Sequence, residues 1–223
     1  MNIIPTLLTT TIIEFKKQIE LFQKPFPRIQ LDIADGKWVS NKTVQIEEII
    51  DLIKNNEVKI DETTSFDFHL MVKDYATELQ KIQKFTDIGI KVDTVLINFK
   101  LKPNIVQLTA QYPQLTIGLD LNPEISVQLV EQHYNLKDIN ALQIMSVNPG
   151  FQGSPFLPEV LEKIQHLRNY DYRGTIFIDG GINAKTIPVI MKKEYKPDFL
   201  CIGSYLTTAE NDLEERSEYL KSL

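Results

Sequence analysis

Short apolar runs of β type alternate along the chain with longer stretches in which apolar positions recur every three to four residues. The strand-like runs are Ile3–Leu8, Ile29–Ile33, Phe66–Met71, Thr94–Ile97, Thr116–Leu121, Ala141–Met145, Thr175–Asp179 and Phe199–Ile202. Helical spacing marks Thr11–Gln23, Gln45–Asn56, Tyr75–Thr86, Asn104–Gln111, Ile125–His133, Pro158–Asn169 and Lys185–Lys192, with a closing helix near Glu210–Leu220. In "IEEIIDLIKN", for example, Ile46, Ile49, Ile50 and Ile53 share one face that must be buried. Eight strand–helix units in 223 residues, about 28 residues each, predict an α/β fold: a compact (β/α)8 TIM barrel with short loops, one domain over residues 1–223. A doubly wound open sheet is the alternative. Nothing in the composition marks a linker, a repeat or a low-complexity boundary.

Charge narrows the partners. Twenty-four basic against thirty acidic residues give a net charge of -6, so no overall field draws the chain to nucleic acid or to an anionic membrane, and any phosphate must be held locally. The single cysteine, Cys201, excludes an intramolecular disulfide and a multi-cysteine metal site, and reads as a small buried hydrophobe. The opening "MNIIPTLLTT" has no basic leader region and reads as the first core strand. No apolar run is long enough for a membrane span. A soluble, cytoplasmic protein is expected.

Barrel active sites lie at the C-terminal ends of the strands, which directs attention to the polar residues there. They are Thr6, Thr9, Asp32, Asp35, His69, Asn98, Asp120, Asn122, Met145 with Ser146, Asp179, and Gly203 with Ser204. In "QLDIADGKW", period-two alternation places Gln30, Asp32 and Ala34 on one face. Asp35-Gly36 reads as a plain turn. Asp32 has a plain reading too, as a buried acid satisfied by backbone amides. An acid between leucine and isoleucine in a central strand is costly to bury, however, which favours a functional role. His69, in "FDFHLMV", is alone no more than a hydrogen-bonded core histidine. His133 and His166 lie on helical patterns and read as surface residues. Asp179 ends a strand in "TIFIDGGIN", either as an ordinary turn or as the start of a loop whose glycines bring backbone amides close to an anion. "SVNPGFQGSPF" and "CIGSYL" provide two more such loops, and three on one rim suit a phosphate cradle.

At these residues the chain resembles the ribulose-phosphate 3-epimerase family. The matching segments, in the family's order, are "PTLL", "LDIADGKWVSN", "DFHLMV", "GLDLNPE", "IMSVNPGFQGSPFLPEVLEKI", "IDGGIN" and "IGSYL". The resemblance implies a barrel of ribulose-phosphate-binding type that holds a divalent zinc, iron or manganese ion. It further implies interconversion of ribulose 5-phosphate and xylulose 5-phosphate: one carboxylate takes the C3 proton, a metal-stabilised enediolate forms, and a second carboxylate returns a proton to the other face. By position, Asp32 and Asp179 would be the acid–base pair, and both would be metal ligands together with His69. Thr6, in place of the family's serine, and His69 would meet substrate, with Met145 as an apolar wall. The phosphate would lie against Gly150, Phe151, Gln152, Gly153, Gly180, Gly181, Gly203 and Ser204. A homo-oligomer is also implied.

The chain departs from the family's pattern at several places on this rim. Gln30 stands where the family has a second metal-binding histidine, and its carbonyl is a neutral, weaker donor; the metal would be held less tightly than in the family, or not at all. Ala34 replaces a methionine, Gln152-Gly153 replaces a two-glycine step, and the fourth strand reads Leu96-Ile97-Asn98-Phe99 in place of a histidine-containing segment. Three readings stay open: an active 3-epimerase, a relative with another phosphosugar substrate or reaction, and a phosphosugar-binding protein without turnover.

Overall fold

The computed structural model describes residues 1–148, 154–209 and 212–223. Eight parallel strands run in the order β1 (Asn2–Leu7), β2 (Arg28–Ala34), β3 (Ser65–Met71), β4 (Lys91–Asn98), β5 (Thr116–Leu121), β6 (Ala141–Met145), β7 (Thr175–Asp179) and β8 (Phe199–Ile202). Each pairs with its neighbours in sequence, and β1 pairs with β8, so the sheet closes into a barrel. The open-sheet alternative is thereby excluded.

The α-helices are α1 (Ile12–Phe22), α2 (Ile46–Lys54), α3 (Tyr75–Asp87), α4 (Ile105–Gln111), α5 (Val127–Glu131), α6 (Glu162–Asn169), α7 (Ile187–Met191), α8 (Ser204–Thr207) and α9 (Leu213–Lys221). Side-chain caps decide where several begin: Thr11, Asp74, Asn104 and Ser126 each accept a backbone N–H three residues on. The Ser126 cap starts the fifth helix two residues later than its apolar pattern predicts, and it ends two residues sooner. Pro158–Leu161, predicted as α-helix, is a 3-10 turn leading into α6. The start of the predicted closing helix, Glu210, lies outside the described residues. The fourth strand begins three residues earlier than predicted, because the polar Lys91 and Asp93 continue its alternation toward the bottom of the barrel. None of the described helices is long and apolar enough to cross a membrane.

Hydrophobic burial is divided by the barrel wall. Outward residues such as Leu31, Ile33, Phe66 and Phe68 pack under the helices with Ile49 and Phe85, and the Phe85 ring meets Phe66 and Phe68 edge-on at 5.7 and 5.3 Å. Inside, a separate cluster of Ile4, Leu96, Ala141, Phe177 and Cys201 fills the middle of the barrel. Below it, at the N-terminal ends of the strands, Arg28 forms a fork on the fully buried Asp67 with contacts of 2.8 and 2.7 Å. Arg28 also donates to Thr94 Oγ1 and lies over the Phe199 and Phe177 rings at 4.7 and 5.5 Å. Burial pushes the Asp67 carboxyl up to about 6, with Arg28 acting against it. The barrel is thus shut at the bottom, and a second set of buried polar groups collects at the top.

Candidate active site

Alternation along the strands turns Gln30 and Asp32 of β2, His69 of β3, Asn98 of β4, Asp120 of β5, Gln143 and Met145 of β6 and Asp179 of β7 away from the helices. All are at least nine-tenths buried. Asp32, His69 and Asp179 offer one ligand atom each, and these atoms lie within 4.8 Å of one another. His69 Nδ1 is 3.2 Å from Asp32 Oδ1 and 3.8 Å from Asp179 Oδ2. Two carboxylates and an imidazole are a donor set that suits a divalent transition metal, and separations of this size can be bridged by bonds of about 2.0–2.2 Å.

Gln30 plays another part. Its Nε2 donates to Asp32 Oδ1 at 3.2 Å and reaches Asp179 Oδ2 at 3.5 Å, while its Oε1 accepts from the Cys201 thiol at 3.5 Å. Gln143 repeats the arrangement, with Nε2 on Asp179 Oδ2 at 3.2 Å and Oε1 facing the same thiol at 3.8 Å. Both amides therefore present N–H groups to the acids. The carbonyl of Gln30, the atom expected to serve as a weak ligand, points at Cys201. Cys201 is buried as expected, but it also orients two amides.

The acids respond to this setting. Burial, followed by the negative charge of Asp32, pushes the Asp179 carboxyl up to about 8, against the influence of His69. For His69, burial alone would lower the pKa; the neighbouring Asp120 and Asp32 outweigh it and hold the imidazole well above its ordinary value. Without a metal, protons supply the positive charge that the cluster needs.

The remaining predicted residues occupy the same mouth or fall outside the described chain. Thr6 is buried near the end of β1, in register with Gln30. Met145 is buried beside Gln143, whose Nε2 contacts its sulfur at 3.5 Å. Gly180 and Gly181 follow β7 with φ of 111° and 63°, and a Cβ on Gly180 would come within 2.4 Å of Val147. Gly203 and Ser204 lead from β8 into α8. Gly150, Phe151, Gln152 and Gly153 lie outside the described residues. Asp35 takes backbone N–H groups from Lys37, Trp38 and Lys73, as a turn residue does. His133 and His166 are exposed. Sequence reasoning gave no role to Asp120 or Gln143; the available signal was a polar residue on the inward face of a wholly apolar strand.

Residues 2–207 match the family described as the Ribulose-phosphate 3 epimerase family. This chain belongs to the ribulose-phosphate 3 epimerase family. Among curated relatives, a ribulose-phosphate 3-epimerase of Synechocystis sp. is 34% identical over 193 residues, covering 83% of this chain and 78% of the relative. One from Helicobacter pylori is 28% identical over 212 residues, covering 92% and 90%. Solved structures place the ribulose-phosphate 3 epimerase family member among barrel enzymes by fold alone. A mutant tryptophan synthase alpha-subunit from Pyrococcus furiosus has a TM-score of 0.68 at 12% identity, covering 100% of this chain and 98% of that one. A 3-keto-L-gulonate-6-phosphate decarboxylase from Vibrio cholerae scores 0.59 at 11% identity, covering 100% and 95%.

Proposed function

We propose that this protein interconverts ribulose 5-phosphate and xylulose 5-phosphate by moving the proton at C3, with Asp32 and Asp179 as the acid–base pair. The observation that carries this reading is the buried Asp32–His69–Asp179 cluster at the open end of a barrel of this family. The protein is an isomerase acting on a carbohydrate. Asp32 removes the C3 proton from one face while Asp179 delivers a proton to the other. The two acids come from β2 and β7, different walls of the barrel, so the sugar need not turn over between the two transfers. In the reverse direction their roles exchange. Asp32, His69 and Asp179 would hold the divalent metal, which supplies a positive charge beside the oxygen that becomes anionic. The amides of Gln30 and Gln143 keep the Asp179 carboxylate in place.

The phosphate is assigned to the backbone around Gly180, Gly181, Gly203 and Ser204, with Gly150 to Gly153, and the sugar to Thr6, His69 and Met145. A homo-oligomer and a cytoplasmic location belong to the same reading; assembly would cover Ile13, which is 82% exposed. One observation favours a phosphosugar binder without turnover: the Gln30 and Gln143 amides already give the two acids hydrogen bonds without a metal. Metal analysis separates the two. Purified protein is expected to carry about one transition metal per chain, and C3–H exchange in deuterated water is expected with ribulose 5-phosphate. Metal-free protein that binds the sugar phosphate without exchange would establish the binder, and exchange confined to another ketose phosphate would move the substrate.

Two further outcomes are expected. Gln30→His replaces an amide donor with an imidazole beside Asp32, and should raise both zinc affinity and turnover by about tenfold or more; unchanged affinity would remove Gln30 from the metal question. Zinc affinity should also climb steeply from about pH 6 to about pH 8, because Asp179 and His69, both raised, must lose protons for the metal to enter. The check is calorimetric titration in buffers of different ionisation heat, which counts the protons released; a flat profile would contradict it.

A further inference from the structure

Asp120 is fully buried on the inward face of β5 and has no task in the acid–base scheme. Its Oδ2 accepts from Asn98 Nδ2 at 2.7 Å and lies 3.3 Å from His69 Nε2. Its Oδ1 has no hydrogen-bond partner, and neither has His69 Nε2, which is close enough to Asp120 but poorly aligned with it. His69 Nε2 thus lies 3.3 Å from a fixed carboxylate oxygen, a gap that a small rotation of the ring turns into a hydrogen bond.

The carboxylate is well anchored. Asn98 Nδ2 also donates to Asn122 Oδ1 at 2.7 Å, Asn98 Oδ1 accepts the Lys100 backbone N–H, and Lys163 Nζ donates to the Asn122 carbonyl at 2.9 Å. The carboxylate is therefore fixed on the side of the imidazole away from Asp32 and Asp179. There it cannot share a cation with them. It can fix the ring's rotation and its tautomer.

We propose that Asp120 is a positioning residue that accepts the Nε2–H of His69 and so directs the Nδ1 lone pair into the gap between Asp32 and Asp179. The inference rests on the metal-binding reading of that cluster. An imidazole with a carboxylate behind it is a more basic and better oriented ligand, and such partners are commonly worth about 10–100-fold in metal affinity. Here the support has particular value, because Gln30 turns its carbonyl away and His69 is the sole imidazole of the cluster among the described residues.

The test is titration of cobalt(II) into metal-stripped wild-type protein and Asp120→Asn, read by the visible absorption of the bound ion. Asp120→Asn is expected to bind cobalt about 10–100-fold more weakly, with a shifted spectrum and an unchanged metal-free melting temperature. Binding within about twofold of wild type would overturn the role of Asp120 alone. Wild-type protein that takes up no cobalt would overturn the metal-binding reading, and this inference with it. A measurement that needs no variant guards against misfolding: nitrogen-15 NMR of histidine in the zinc-loaded wild type should show the proton of His69 on Nε2. A proton on Nδ1 would refute the proposal.

Discussion

Asp179→Asn is expected to abolish conversion of ribulose 5-phosphate to xylulose 5-phosphate while leaving sugar-phosphate binding in place. The two side chains have nearly the same shape, so the β7 terminus should survive: Ser146 holds it through the backbone oxygens of Asp179 and Gly180, at 2.9 and 2.6 Å. What disappears is the exchangeable proton. Positioned acid–base groups contribute about 10²–10⁴ in rate, so turnover should fall at least that far. The dissociation constant of the sugar phosphate, measured by calorimetry, should change much less, because the loops assigned to phosphate are built from backbone amides. Parallel loss of binding and conversion would instead make Asp179 a structural residue.

The second large effect is expected at the other end of the barrel. Arg28→Met removes the partner of Asp67 and leaves an acid that is 0% exposed beneath the inner core. Breaking a buried pair on one side costs about 3–5 kcal/mol, a large part of the stability of a typical domain. The loss should depend on pH. The Asp67 carboxyl stands at about 6 even with Arg28 beside it, and without Arg28 it should rise further. An acid whose folded pKa lies above its unfolded value binds extra protons when folded, so stability falls as pH rises through that interval. Urea denaturation should therefore show a greater loss at about pH 8 than at about pH 5. Adding Asp67→Leu should recover most of it, since an apolar pair of similar volume is often tolerated. A loss below about 1 kcal/mol, typical of a surface pair, would show that the fork contributes little.

The fold was legible because each strand is marked by apolar residues on both faces and each helix by one apolar stripe. Five of the eight strands match their predicted bounds at one end or both, and errors gathered where caps rule, as at Ser126, or where polar residues continue a strand, as at Lys91 and Asp93. The short α8 carries no pattern long enough to read. Within the site, Asp32 stood out as an acid between apolar neighbours, while His69 and Asp179 joined it only through the family resemblance. Gln143 did not, since a neutral amide in a strand suggests no chemistry until its neighbours are known. The orientation of Gln30 was beyond sequence reasoning for a related reason. It depends on Cys201, 171 residues further on, whose thiol takes the carbonyl and leaves the N–H groups for the acids. Spacing along the chain cannot convey a contact made across the barrel.

The closed bottom of the barrel has a consequence for traffic. Beneath the acids lie the two amides and Cys201, then the packed Ile4, Leu96, Ala141 and Phe177, then the Arg28 fork on Asp67. On the proposed reading, an ion held by Asp32, His69 and Asp179 would enter from the same end of the barrel as the sugar phosphate, since the described residues close the other end. Bound sugar would then act as a stopper: metal exchange would wait for the product to leave, and a chelator would have to compete with turnover.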